Sequence, residues 1–340
     1  MKNVGIIGVS GYTGFELLRL ILNHPKLNLT YLAATKKSKI DEIFPSLSSV
    51  LDFDVEVADA KTAAQKCDLV FLALPHKASM EFAKEILKYD IKVVDLSADY
   101  RVSLENYEKN YTTHLDKENL KNAVYGLVEI NRNFIKGAKL VANPGCYPTA
   151  TLLAALPFIE YLEPNIFVDA KSGVSGAGKS LKETSHFVSV NENINAYAPL
   201  THRHADEIKE KLEIASKKNI NLMFVPHLVP ITRGMLVSVF GTLKQDCDAF
   251  EVLNNFYKNE KFIRIRQNPV SIKDTVGTHF CDICVKTKNN QIWINSSIDN
   301  LLRGASSQAL ANANLMLGFD ESLGLNKFAY AKRFKKYNEN

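Results

Sequence analysis

The feature that most constrains the fold is Gly8-Val9-Ser10-Gly11-Tyr12-Thr13-Gly14, which closes an apolar run, Val4-Gly5-Ile6-Ile7-Gly8-Val9. The run reads as a buried first strand. Phe15 to Leu22, ended by His24-Pro25, reads as the helix that follows. Glycine at every third position between a strand and a helix lets the backbone turn tightly. It also lets unpaired N–H groups approach a phosphate at the helix start. The spacing is a variant of the dinucleotide fingerprint, so Gly8, Ser10, Gly11, Tyr12, Thr13 and Gly14 are candidate pyrophosphate contacts. A glycine triplet alone would also suit a plain βα turn; its place after an N-terminal strand favours the dinucleotide.

The second strand, Leu27 to Ala34, bears on which dinucleotide. An acidic residue at its end would bind the ribose hydroxyls of NAD. The chain instead has Ala34-Thr35-Lys36-Lys37-Ser38, and two cations with two hydroxyls suit the 2′-phosphate of NADP. Thr35, Lys36 and Ser38 therefore join the candidate set, against the plainer reading of a solvated lysine-rich loop.

Alternation continues with Cys67 to His76 as a strand, Ser79 to Leu87 as a helix and Ile91 to Leu96 as a strand, which predicts a parallel, doubly wound sheet. Ligands of such sheets sit at strand C-terminal ends, which singles out Pro75-His76 and Ser97-Ala98-Asp99-Tyr100-Arg101. After Leu156 the pattern changes. Strands are expected at Asn165 to Lys171, Met223 to Val229, Met235 to Leu243, Val270 to Ile272, Thr278 to Lys286 and Gln291 to Ser297, with a last helix from Leu301 to Leu317. The expected fold is α/β: a Rossmann-type doubly wound sheet plus an α+β domain on a largely antiparallel sheet. The expected division is a dinucleotide-binding domain over residues 1–145, a catalytic and dimerisation domain over 146–300, and a C-terminal helix and tail, 301–340, returning to the first domain.

A chain of 340 residues, 46% hydrophobic and 23% charged, has room for two ordinary globular domains. Its net charge of +5, with no basic block besides the Lys-Arg-Phe-Lys-Lys tail, offers little to nucleic acid. No apolar run approaches the roughly 20 residues of a membrane-spanning helix, and Met1-Lys2-Asn3 runs straight into a strand, leaving no room for a signal peptide. Five cysteines, an odd number, argue against a disulfide framework and for a reducing cytoplasm.

One of those cysteines stands apart. Ala138 to Ala142 reads as a short strand, Asn143-Pro144-Gly145 as a turn, and Thr149 to Leu156 as a helix with Pro148 in its first turn. Cys146 is thereby placed at a helix start beyond a strand of the first sheet, facing the nicotinamide end of the dinucleotide crevice. Unpaired N–H groups there favour a thiolate and can hold an oxyanion on a carbonyl under attack. A buried structural cysteine is the plainer alternative.

Three further patterns compete for attention. Gly173-x-x-x-x-Gly178-Lys179-Ser180 matches the P-loop letter for letter, yet Leu181 to His186 is poor helix sequence, which counts against a nucleotide-hydrolysing reading. His202, Arg203, His204 and Glu207 open an apparent helix, Asp206 to Ser216. They read as metal ligands, or as a base (His204, with His202 in reserve) oriented by Glu207 beside an anion anchor. With a candidate nucleophile and no obvious third ligand, acid/base work is favoured and no metal is expected. Cys281-x-x-Cys284 lies within an expected strand and reads as two ordinary cysteines rather than a zinc or redox pair.

Together these stretches resemble the N-acetyl-gamma-glutamyl-phosphate reductase family over essentially the whole chain. The matching segments are Gly8 to Gly14, Asp95 to Arg101, Asn143 to Thr149, Ser172 to Gly178, His202 to Ile208, His227 to Met235 and Ile298-Asp299-Asn300-Leu301. One departure is Val128, where proline is expected. The resemblance implies a Rossmann domain with an α+β catalytic domain, NADP as cofactor, and attack by Cys146 on an acyl-phosphate substrate in arginine biosynthesis. It also implies a homo-oligomer, dimer or tetramer, and sets aside the P-loop. A related branch reduces 2-aminoadipyl phosphate in lysine biosynthesis. Arg101, Ser175 and Arg203 are the expected phosphate or carboxylate contacts. By analogy with related semialdehyde dehydrogenases, Asn300 is expected at the nicotinamide carboxamide.

Overall fold

The computed structural model describes residues 1–180 and 183–327; the basic stretch Lys332-Arg333-Phe334-Lys335-Lys336 and the rest of the tail lie outside them. Two sheets organise the described chain. The first takes β1 (Lys2–Ile7), β2 (Leu27–Ala34), β3 (Ser38–Lys39), β4 (Asp54–Val57), β5 (Leu69–Leu72), β6 (Lys92–Asp95), β7 (Val124–Tyr125) and β8 (Leu140–Ala142) in the order β3-β4-β2-β1-β5-β6-β8-β7. Every pairing is parallel except the short β3–β4 ladder. The strands are apolar on both faces because helices cover both: all four residues of β5 are buried. β2 lies on one side of β1 and β5 on the other, which puts the topological switch point, and with it a ligand crevice, at the C-terminal end of β1.

The second sheet comprises β9 (Asn165–Gly173), β10 (Asn195–Ala196), β11 (Asn221–Val229), β12 (Met235–Thr242), β13 (Ile263–Arg266), β14 (Cys281–Lys288) and β15 (Gln291–Ile298), in the order β10-β11-β9-β12-β15-β14-β13. Its ladders are antiparallel except β11–β9 and β13–β14. The strand expected at Val270 to Ile272 is absent. Ile272–Asp274 is a 3-10 turn, and the edge position belongs to β13, where Arg264 and Arg266 both clamp the buried Asp282 carboxylate, at 2.5 and 2.8 Å.

Five helices bear on the site: α1 (Tyr12–Leu22), α2 (Ala78–Ile86), α3 (Cys146–Ala155), α4 (His204–Ser216) and α5 (Ser307–Met316). The predicted last helix is not regular from Leu301, because Leu302–Ser306 forms a π turn before α5 begins. α3 is buried along almost its whole length and packs between the second sheet and α4, where Leu153, Ala154, Val168, Val237, Ile208 and Leu212 share one core. The chain end returns to the first sheet. Leu302, Leu310, Ala313 and Met316 belong to the same apolar cluster as Val4, Ile6, Leu17 and Ile21. Val128 is the first residue of the helix Val128–Gly137. That is the helical position at which a proline costs nothing, since its N–H would be unsatisfied in any case. Among the described residues no helix is long and apolar enough to cross a membrane.

Polar ties join the two halves. Arg233, beyond β11, pairs with Glu16 of α1 at 2.9 Å and with Asp299 at 2.9 Å. Lys179 donates to the Ser10 carbonyl at 3.1 Å. Both contacts reach across to the glycine loop and the helix it opens.

Candidate active site

A cavity of about 850 Å³ runs along the C-terminal ends of β1, β5 and β8 and under the loop that follows β9. Gly8, Ser10, Gly11, Tyr12, Thr13 and Thr35 line one part, and Cys146, His204, Arg101 and Arg203 line another. Lys179 and His76 contribute further polar groups, and among the described residues the lining contains no aspartate or glutamate. A wall of cations and donors with no carboxylate is built for anionic ligands.

The glycine loop fits a dinucleotide. Gly8 has φ +94°, and a Cβ there would collide with the Ala73 carbonyl; a Cβ on Gly14 would collide with the Gly8 carbonyl and Val9. Gly11 is different. A Cβ would meet only the Gly8 carbonyl, at 3.7 Å, so the absent side chain leaves open room at the start of α1. The first turn of α1 carries no acidic residue, which leaves its N–H groups available to a pyrophosphate. Lys36 and Ser38, expected at the 2′-phosphate, do not line the cavity, and Ser38 pairs with Val55 in the β3–β4 ladder.

The loop Gly173 to Ser180 is not a P-loop. β9 runs through Gly173, a 3-10 turn spans Val174–Ala177, and the next described helical piece is another 3-10 turn, Glu183–Ser185, rather than an α-helix. The loop instead places Ser175, Gly176 and Lys179 on the cavity. The Ser175 hydroxyl accepts from the Asn300 amide at 3.0 Å, and the Asn300 carbonyl oxygen accepts from Gly234 N–H at 2.7 Å, so Asn300 is fixed at the cavity edge with its amide oriented.

Cys146 is the first residue of α3, and Gly145 is its N-cap. Two glycines make room for it. A Cβ on Gly304, inside the π turn, would lie 2.7 Å from the Cys146 Cβ. A Cβ on Gly145 would lie 2.8 Å from His204 Nε2 and 3.0 Å from an Arg101 guanidinium nitrogen. His204 and Arg101 therefore press directly against the residue that precedes the thiol. A π turn at this point agrees with the use of such irregularities at functional sites.

Burial pushes the Cys146 thiol up to about 11, against the pull of the Tyr147 N–H and of Arg101. Burial thus opposes the resting thiolate that the helix dipole alone would favour, and a nucleophilic role for this thiol would call for a base. His204 can serve. Burial, aided by His202, Arg101 and Arg203, holds its imidazole well below the ordinary value, so it is neutral at pH 7 and free to accept a proton. Its Nδ1 is buried without a hydrogen-bond partner among the described residues.

Glu207 does not orient His204. Its carboxylate accepts from Gly145 N–H at 3.0 Å and Tyr125 O–H at 2.8 Å, and faces Arg101 at 3.4 Å. It braces the turn that carries Cys146. His202 does not line the cavity either. Its Nδ1 accepts from His204 N–H at 3.1 Å, and its ring packs edge-on against Tyr147, Tyr197 and His204. Burial then lowers it to about 4. Arg101 is both lining and strut, donating to the carbonyls of Asn143 and Leu96 at 2.7 Å each. Arg203 lies over the Tyr111 ring and has no carboxylate partner among the described residues.

Gly304, Tyr125 and Tyr111 were not singled out from the sequence. Among the described residues no group of three or more His, Cys, Asp or Glu side chains is placed to hold a metal ion.

A Rossmann-type sheet joined to a mixed sheet is the architecture of the NAD(P)-dependent semialdehyde dehydrogenases. Residues 3–138 match the family profile "Semialdehyde dehydrogenase, NAD binding domain", and residues 146–300 match "Semialdehyde dehydrogenase, dimerisation domain". The fold is that of aspartate semialdehyde dehydrogenase II from Vibrio cholerae, with a TM-score of 0.72 over 94% of this chain and 98% of that one at 16% identity. Aspartate semialdehyde dehydrogenase with NADP from Candida albicans gives a TM-score of 0.68 over 93% and 98% at 13% identity. Much nearer in sequence are the N-acetyl-gamma-glutamyl-phosphate reductases of Campylobacter hominis, 65% identical over 97% of this chain and 99% of that protein, and of Wolinella succinogenes, 59% identical over 96% and 98%. The chain belongs to the N-acetyl-gamma-glutamyl-phosphate reductase family.

Proposed function

We propose that the protein reduces N-acetyl-gamma-glutamyl phosphate to N-acetylglutamate 5-semialdehyde and phosphate in arginine biosynthesis, through a thioester on Cys146, with NADPH as reductant. The observation that carries this reading is a cysteine at a helix start in a cation-lined cavity that continues into a dinucleotide loop. His204 takes the thiol proton as Cys146 Sγ attacks the acyl carbonyl. The carbon–oxygen bond to phosphate breaks, and the leaving phosphate takes that proton from His204. The N–H groups at the start of α3 stabilise the oxyanion of the tetrahedral species. NADPH, when bound along the glycine loop, would supply the hydride that reduces the thioester carbon. Cys146 and the helix start would hold the resulting thiohemiacetal oxyanion, which collapses to aldehyde as the carbon–sulfur bond breaks and the thiolate leaves. His204, having given its first proton to phosphate, relays a second proton from solvent to that thiolate.

The glycine loop, Ser10, Thr13, Thr35 and Lys179 would hold the dinucleotide, with Lys36 near enough in sequence to reach a 2′-phosphate. Self-association is part of the same reading. Met223, Phe167 and Phe240 stand in register across β11, β9 and β12 on one sheet face, each more than 40% exposed, which suits a second copy of the chain. Five unpaired cysteines suit a reducing, cytoplasmic setting.

The experiment is phosphate-dependent reduction of NADP⁺ with N-acetylglutamate semialdehyde, run beside the aminoadipate homologue. Turnover of the glutamate compound, lost on thiol alkylation, is the expected result. Turnover of the homologue alone would move the protein to the lysine branch. No turnover with either would end this reading.

A further inference from the structure

The turns after β5 and β6 are stitched together. The Asp99 carboxylate accepts from the N–H groups of Lys77 and Met80, at 2.9 to 3.0 Å, and holds Lys77 at φ +72°, a conformation rare for a residue with a side chain. Ala98 N–H donates to His76 Nδ1 at 2.9 Å. A backbone N–H can only donate, so Nδ1 must be the unprotonated nitrogen and Nε2 must carry the hydrogen. His76 lines the cavity, and Nε2 has no hydrogen-bond partner among the described residues. The ring packs 5.0 Å from Tyr111, and Tyr111 in turn receives the Arg203 guanidinium on its face at 5.5 Å.

We propose that the His76 Nε2–H and the unpaired Arg203 guanidinium form an oxyanion-binding subsite for the acyl-phosphate substrate, holding either its phosphate or its carboxylate. The assignment rests on the reaction proposed above. It explains two features that a polar turn residue would not require. One is the strained turn, which fixes the ring against Ala98 N–H rather than letting it swing into solvent. The other is that Arg101, Arg203 and the ring donor line one cavity whose lining, among the described residues, holds no acidic side chain. Burial and the nearby Arg203 and Arg101 lower the imidazole to about 3, so the subsite keeps a neutral donor through the working pH range and does not compete with His204 for protons.

The test compares His76→Phe, which keeps a ring on Tyr111 and removes the donor, with His76→Gln, which restores an N–H near the Nε2 position. In the phosphate-dependent direction, His76→Phe should raise the KM for phosphate or for the semialdehyde by about tenfold. The substrate whose KM moves identifies the group held, and His76→Gln should recover part of the loss. Unchanged KM for both substrates, a fall in kcat alone, or a rise confined to the KM for NADP⁺ would each overturn the assignment. A second readout does not depend on turnover. In the wild-type protein, ring ¹⁵N NMR should show His76 protonated at Nε2, with that proton shifting on titration with inorganic phosphate or N-acetylglutamate. No shift with either would overturn the subsite. A shift in a protein that turns over neither semialdehyde would instead leave the subsite standing and dismiss the reaction.

Discussion

The two helix starts at the C-terminal edge of the first sheet use the same device in opposite surroundings. α1 and α3 both begin behind a glycine N-cap, and neither has an acidic residue in its first turn. At α1 the start is open: Tyr12 is 45% exposed and a Cβ on Gly11 would find free space. At α3 the start is covered by the π turn, with Gly304 against Cys146 and Arg101 and His204 against Gly145. The open start can offer its N–H groups to an incoming phosphate. The covered start raises the thiol to about 11, because loss of solvent outweighs what the helix end supplies. A helix N-terminus thus acts according to its degree of burial, and a nucleophile placed on a buried one depends on a partner base.

That contrast can be broken most severely at the thiol. Cys146→Ala should lower turnover by about 10⁴-fold or more while the dissociation constant for NADPH, measured by fluorescence titration, stays within about twofold, because the cofactor half of the cavity is untouched. Loss of both would mean that Cys146 supports the fold. Next in size is His204, the base of the proposed mechanism. His204→Asn should cost roughly 10²- to 10⁴-fold in kcat. In the wild type the acid limb of kcat/KM should fall below pH 6.5, because burial lowers the His204 value and the ring becomes charged, and useless as a base, only at still lower pH. An acid limb at or above 6.5 would remove His204 from the role.

Gly304→Ala tests the cover. Its new Cβ would lie 2.7 Å from that of Cys146, and displacement of the thiol should cost about 10²-fold in kcat, read together with a changed rate of thiol alkylation. Gly11→Ala is the matching change at the open start. It should raise the KM for NADPH and leave the alkylation rate of the free enzyme as it was. The smallest effect is expected at Lys36→Ala, a loss of a few-fold in NADPH affinity with no change for NADH, since an exposed cation contributes about 1 kcal/mol or less.

Much of this was legible in the sequence because it is local. The glycine loop, β2, the turn at Asn143-Pro144-Gly145 and the helix at His204 are each specified within a dozen residues. What escaped depends on distant partners. Glu207 at three residues from His204 looked like its orienting carboxylate, but its partners Gly145 and Tyr125 lie 62 and 82 residues away. Val270 to Ile272 has strand composition, yet the backbone N–H of Val270 is taken by the Asn295 side chain, while the alternation of Ile263-Arg264-Ile265-Arg266 was the better strand signal. The π turn has no local signature. It follows from the need to pass Gly304 close to Cys146.

The return of α5 to the first sheet has a consequence for how the chain acquires its shape. Leu310 and Met316 complete a core begun by Val4 and Ile6, so the first domain closes across some three hundred residues of intervening sequence. During synthesis from the N-terminus, β1 to β8 emerge long before their last apolar cover, and the domain must wait, partly uncovered, for the whole second domain to be made. Contacts of such sequence separation are slow to form. A chain stopped at residue 300 would therefore present an incomplete dinucleotide fold with exposed apolar surface, rather than a free-standing cofactor-binding module.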